Sequence, residues 1–153
     1  MDGGGSNKEM KKICLIVPDL NKGGMERVMS ELAYYFTSRQ NTFVEMILLT
    51  RQSDDFYKIP ESVLIHKPGF KFNNQIRFIS TIRTLFFLRN NIRRMMPDTV
   101  LSFGETYNSF VLLSCLFLNV NIFVSDRSRP DKRWGFLQEF LRRRLYPRAA
   151  GIV

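Results

Sequence analysis

From Lys12 the chain reads Ile13-Cys-Leu-Ile-Val17 without a polar residue, meets Pro18, and crosses the loop Asp19-Leu-Asn-Lys-Gly-Gly24. Met25, Val28, Met29, Leu32, Ala33 and Phe36 then fall at helical spacing on one face. A short apolar run ended by proline is the pattern of a strand buried on both faces. The stripe behind it is that of an amphipathic helix. Strand, glycine loop and helix form the first half of a βαβ unit, and this reading decides the fold.

Downstream the same alternation continues. Strands are predicted over Phe43–Leu49, Val63–His66, Thr99–Phe103 and Asn121–Ser125, with a sixth beginning at Gly151-Ile-Val153. Helices are predicted from about Gln75 to Met96, stopped by Pro97, from Thr106 to Leu118, and from Arg133 to Tyr146. Strands alternating with helices give an α/β fold: a Rossmann-like open, mainly parallel sheet with helices on both faces. Residues 1–10 read as a flexible leader, since MDGGGSN has no apolar side chain after Met1. Residues 11–153 read as one domain. The chain stops inside a strand signal, which predicts a continuation.

Composition narrows the function classes. Twenty-three Lys and Arg against fourteen Asp and Glu give a formal charge of +9. Such an excess implies an anionic partner, whether phosphorylated ligand, acidic lipid surface or nucleic acid; solubility alone is the other reading. No apolar stretch reaches the roughly 20 residues of a membrane-spanning helix. No secretory signal is legible, and Cys14 and Cys115 sit inside apolar runs, which points to a reducing cytoplasm. Two Cys and a single His give no structural zinc site, and no metal is expected.

In an open parallel sheet, ligands bind outside the carboxyl ends of the strands. That rule selects Pro18–Gly24, Gly104–Tyr107 and Ser125–Pro130. Gly23 and Gly24 let the backbone approach a ligand, and the helix behind them offers unpaired N–H donors suited to phosphate. A tight βα turn explains the same pair. Three spaced glycines are lacking, and no Gly-Lys-Ser/Thr follows, so neither the dinucleotide fingerprint nor a P-loop is present.

The string GGMERVMSELAYYF after VPDL resembles the GG-x-ER opening of retaining glycosyltransferases of family 4 (group 1), enzymes of the two-domain GT-B fold. PDTVLSFGETYNSF is similar to the family's PDVV-S strand, and SDRSRP with LYPRAAGIV is similar to its SERN-P and LYRRAD-VV stretch. The resemblance implies transfer of a sugar from a nucleotide-sugar donor to a glycan or lipid-linked acceptor. It implies an N-terminal, acceptor-side domain here, with the C-terminal donor-binding domain lying beyond residue 153, and no turnover by residues 1–153 alone. The nucleotide-sugar is then a co-substrate, and no cofactor is expected. Gly23, Gly24 and Arg27 match the loop that faces the donor diphosphate. Glu105, Ser125, Asp126 and Arg127 are the candidates near the reacting sugar, although the family's His at that place is missing. Glu105 has an exposed loop carboxylate as its other reading, and Asp126–Arg127 an ion pair.

Two basic helices remain. Arg77, Arg83, Arg89, Arg93 and Arg94 accompany an apolar stripe between Gln75 and Met96 with no acid in the segment. Arg83, Arg89, Arg93 and Arg94, with Phe87 and Phe136, are candidates for an anionic membrane surface on the cytoplasmic side, or for an acceptor phosphate. Packing on the sheet accounts for most of each stripe. A basic nucleic-acid or membrane-binding module without catalytic activity is the competing class. No helix-turn-helix, RRM or zinc pattern supports nucleic acid, and Asp19 alone lacks the carboxylate cluster of a phosphoacceptor domain.

Overall fold

A computed structural model describes residues 9–50, 56–126 and 135–153, without the side chain of Glu105. The expected leader falls almost wholly outside these residues, as do Arg127 and the expected start of the last helix at Arg133. The elements are β1 (Lys11–Val17), α1 (Gly24–Thr37), β2 (Thr42–Leu48), β3 (Leu64–His66), α2 (Arg77–Met95), β4 (Thr99–Phe103), α3 (Glu105–Ser114), β5 (Asn121–Ser125), α4 (Phe136–Leu145) and β6 (Gly151–Ile152). The six strands form one sheet in the order β3-β2-β1-β4-β5-β6. Every neighbouring pair is parallel.

Period-two alternation along β1 builds the core on both faces. Cys14 and Ile16 point to one side, where they meet Leu88 and Ile92 of α2, Val111 and Leu112 of α3 and Leu145 of α4. Leu15 and Val17 point to the other, against Met29 and Ala33 of α1. One helix therefore covers one face and three cover the opposite one.

Two helix ends show what sets the boundaries. Met96 caps α2 in the left-handed region at φ 45° and donates its N–H to the Ile92 carbonyl. Pro97 behind it cannot continue the helix. The sequence predicts a helix as far as Leu118, but α3 ends at Ser114. There Arg89 Nη1 of α2 donates to the carbonyls of Ser114 and Leu116, each at 2.8 Å. Phe117 then turns away with φ 64°.

Candidate functional site

The carboxyl ends of β1, β4 and β5 converge on a cleft of about 450 Å³ lined by Gly24, Met25, Phe103, Gly104, Tyr107 and Ser125 among others. The turn after β1 forms one wall. Leu20 is buried and anchors it, with its carbonyl accepting from the N–H groups of Phe56 and Tyr57. Asp19 Oδ1 accepts from the Asn21 N–H at 2.9 Å, which sets the bend. Gly23 is the N-cap of α1, and Glu26 folds back so that its carboxylate fills the place a side chain at 23 would take. Gly24 is exposed, and a Cβ there would meet nothing within 4 Å. The start of α1 thus reaches the cleft rim at Gly24 without a side chain of its own there, while the Glu26 carboxylate lies over Gly23.

The turn after β4 forms the facing wall. Gly104 caps α3, accepting from the N–H groups of Tyr107 and Asn108 at 2.9 and 2.8 Å. Its φ of 108° suits glycine, and a Cβ would press on Met25 Sδ and Tyr107 Cδ2, both at 3.2 Å. Close approach of the two βα turns is therefore built on the missing side chain of Gly104. Tyr107 is pushed above the ordinary tyrosine value, first by burial and then by the carboxylates of Asp19 and Glu26. Its phenol stays protonated at neutral pH.

Ser125 closes β5 at the cleft floor and is 2 % exposed. Its carbonyl accepts from Asn108 Nδ2 at 2.9 Å. Its Oγ is buried with no hydrogen-bond partner among the described residues. Behind it lies a polar network. Ser102 Oγ donates to Asn108 Oδ1 at 2.9 Å, and Asn108 Nδ2 also reaches the Tyr146 hydroxyl at 3.4 Å. Arg142 Nη2 donates to Asp126 Oδ2 at 2.8 Å and its guanidinium lies 5.2 Å from the Tyr146 ring centre.

The candidates distribute unevenly. Gly24 and Ser125 line the cleft, with Gly23 behind the first. Glu105 opens α3 beside it. Arg27 is exposed and pairs with Glu31, one turn on, at 3.3 Å. Asp126 is tied to Arg142, whereas Arg127 is outside the described residues. Arg83 stacks on Phe70 at 4.6 Å. Arg89, a candidate for membrane or acceptor phosphate, is half-buried and spends Nη1 on the end of α3. Phe87 likewise packs on the core and against Phe70, so it is not a free surface ring. Arg93 and Arg94 are exposed in the last turn of α2, which leads into the start of β4 at the opposite rim. His66 bonds through Nε2 to Glu45 Oε2 at 2.6 Å. Among the described residues no group of three or more His, Cys, Asp or Glu could hold a metal ion.

A second cleft of about 450 Å³ adjoins the first and shares Thr106 and Tyr107 with it. Phe72, Arg77, Thr81 and Phe110 also line it, and Arg77 has no ion pair among the described residues. Sequence reasoning missed this cleft and Asn108, and it reached Tyr107 only as the end of the selected turn Gly104–Tyr107. The polar first turn of α3, Thr106-Tyr-Asn-Ser109 ahead of an apolar run, was the available signal.

Comparison with known proteins places this geometry. The fold matches the sucrose-phosphate synthase of Thermosynechococcus elongatus at TM-score 0.70 and 8% identity over 93% of this chain and 41% of that one. A UDP-N-acetylglucosamine 2-epimerase matches at TM-score 0.64 and 16% identity over 92% of this chain and 40% of that one. The fold is that of a GT-B domain. At such identities the likeness shows the fold alone. No family model matches the chain. In sequence it is 27% identical over 140 residues to a Campylobacter jejuni enzyme, the GalNAc-alpha-(1->4)-GalNAc-alpha-(1->3)-diNAcBac-PP-undecaprenol alpha-1,4-N-acetyl-D-galactosaminyltransferase. The match takes in 90% of this chain and 38% of that enzyme, so the chain spans about two fifths of its curated relative's length.

Proposed function

We propose that the chain is the acceptor-side half of a glycosyltransferase that moves a sugar from a nucleotide-sugar donor to a glycan or lipid-linked acceptor, with retention at the anomeric carbon. The observation that carries the reading is the first cleft. Gly24 at the start of α1, which carries no side chain, and the Ser125 hydroxyl, buried without a partner among the described residues, line the same cleft at the carboxyl rim of a GT-B sheet. As the sugar leaves, charge grows on the departing diphosphate. N–H groups and a helix N-terminus aimed there stabilise the transition state more than the ground state. None of the described residues lining this cleft is charged. The remaining countercharge and the grip on the nucleotide come, in this reading, from a second domain, and residues 1–153 alone turn nothing over.

The second cleft suits the acceptor. Aromatic rings at Phe72 and Phe110 offer a face to a sugar ring, threonine hydroxyls line the wall, and Arg77 offers a guanidinium to a phosphate. The undecaprenol and diphosphate in the relative's name agree with such an acceptor. A lipid-linked acceptor also suits a protein working at the cytoplasmic membrane surface. No described helix is long and apolar enough to cross a membrane.

The test is a transfer assay with labelled UDP- and GDP-sugars and a polyprenyl-diphosphate-linked glycan, run on the protein together with its donor-binding half. Label should reach the acceptor with its anomeric configuration kept, and Gly24→Val should lower turnover about 100-fold at unchanged Tm. Release of an epimerised nucleotide-sugar with no acceptor labelled would sink the reading.

A further inference from the structure

The first turns of α2 and the loop before them expose apolar side chains that nothing among the described residues covers. Phe78 is 77% exposed and Ile79 52%, with Phe72 and Ile76 each close to half exposed, and Phe86 continues the face two turns on. A soluble surface scatters such residues singly; a contiguous set marks an interaction site. Cations stand among them: Lys71, Arg77 and Arg83 are exposed, and Arg83 lies against the Phe70 ring. From Ser62 to Pro97 the sequence holds seven Lys and Arg and no Asp or Glu. Aromatic tips with guanidinium and ammonium groups at their flanks, and no carboxylate nearby, complement an anionic lipid surface. The rings enter the acyl boundary while the long basic side chains reach the headgroups.

The place of this tip gives it a use. Phe72 and Arg77 belong both to the tip and to the wall of the second cleft. We propose that Phe72–Ile79, with Arg83 and Phe86, docks on an anionic bilayer and holds the mouth of the second cleft at headgroup level. An acceptor that stays anchored in the lipid then reaches the cleft without leaving the membrane. This use rests on the acceptor reading above; the docking itself does not.

Sedimentation with vesicles of equal phosphatidylglycerol and phosphatidylcholine, compared with phosphatidylcholine alone, tests the docking without any transfer assay. The protein should bind the anionic vesicles at 0.1 M salt and release at 0.5 M as screening grows. The double variant Phe78→Ser/Ile79→Ser should bind about tenfold more weakly. Phe117→Ser, which removes a side chain 93% exposed at the far end of α3, should bind as the parent does. A dye on Phe78→Cys should blue-shift with vesicles, and one on Phe117→Cys should not. No binding, equal binding to both vesicles, or full binding by Phe78→Ser/Ile79→Ser would overturn the proposal. So would a dimer in ultracentrifugation that the double variant dissolves, since the face would then belong to a second copy. Vesicle binding with no sugar transfer would leave the docking standing and remove the enzyme reading instead.

Discussion

Asn108 Nδ2 on α3 donates to the Ser125 carbonyl at the end of β5 at 2.9 Å. Through Ser102 Oγ and the Tyr146 hydroxyl the same amide joins β4 and the turn after α4, so one fully buried side chain fixes the cleft floor. Asn108→Ala would leave the Ser102 hydroxyl and the Ser125 carbonyl unpaired, at an expected cost of about 2–3 kcal/mol in urea unfolding. Asn108→Asp keeps the shape, but its carboxylate cannot donate to Ser125. Protonation restores the donor, so the folded state raises that pKa. The Asp variant should therefore lose less stability at pH 4 than at pH 7, whereas the Ala variant should show no such recovery.

Arg89 supports the opposite rim. Two bonds from one guanidinium to the Ser114 and Leu116 carbonyls replace the turn of helix that α3 does not make. Arg89→Met keeps the stem and loses both bonds, and should cost about 2–3 kcal/mol by denaturant midpoint. Arg93→Ala, at an exposed site on the same helix, should stay within about 0.5 kcal/mol. Equal effects would show that Arg89 acts as a surface charge.

These two residues mark where reading the sequence stops. The strands were legible because each is a short apolar run fenced by Pro, Gly or polar residues; Thr99–Phe103 and Asn121–Ser125 fall where expected to the residue. The turns after β1, β4 and β5 were legible because topology alone puts strand ends at one rim. What a cation binds across space was not. Arg89 reads as one of a basic stripe until α3 is seen to end beside it. Asp126, just past the end of β5, pairs with Arg142 of α4, sixteen residues on. Asn108 sits in a helix read as hydrophobic, and its three partners come from three other segments. The second cleft draws its walls from the end of β2, the loop before α2, the first turns of α2 and the start of α3, and no single motif spans them.

The two cleft glycines should respond oppositely to alanine. Gly24 has open space where a Cβ would stand and an ordinary backbone, so Gly24→Ala should leave Tm unchanged or slightly raised. At Gly104 the φ of 108° and the contacts with Met25 and Tyr107 oppose any side chain. Gly104→Ala should cost about 1–3 kcal/mol. Calorimetry on both variants decides it, and a neutral Gly104→Ala would remove the case for close approach of the two turns.

Alkaline pH should unfold the protein through its core. Burial pushes the Cys115 thiol from the ordinary 9.0 up to about 11. Burial raises Tyr107 and Tyr146 as well. Folded-state values above unfolded ones mean that the unfolded chain gives up these protons first. The stabilisation is complete below pH 9 and is lost as pH climbs toward 11. For Cys115 alone the two-decade rise corresponds to about 3 kcal/mol. Urea midpoints from pH 8 to 11 should fall steadily, and Cys115→Ala, less stable at pH 8, should fall less steeply.

Ser125 separates a ligand site from a packing defect. Its Oγ is buried without a partner among the described residues, an arrangement that ordinarily costs about 1–3 kcal/mol. Ser125→Ala removes the hydroxyl and keeps the volume nearly the same, so the variant should be as stable as the parent or more so. If the hydroxyl is held for the transferred sugar or the diphosphate, the same variant should lower kcat/KM about tenfold or more in the transfer assay, because a donor made for a buried polar substrate has been lost. Gain in stability with loss of transfer is the signature of a polar group kept for a ligand. Unchanged transfer with higher stability would make Ser125 a defect of packing, and a drop in stability would show that the hydroxyl already has a partner.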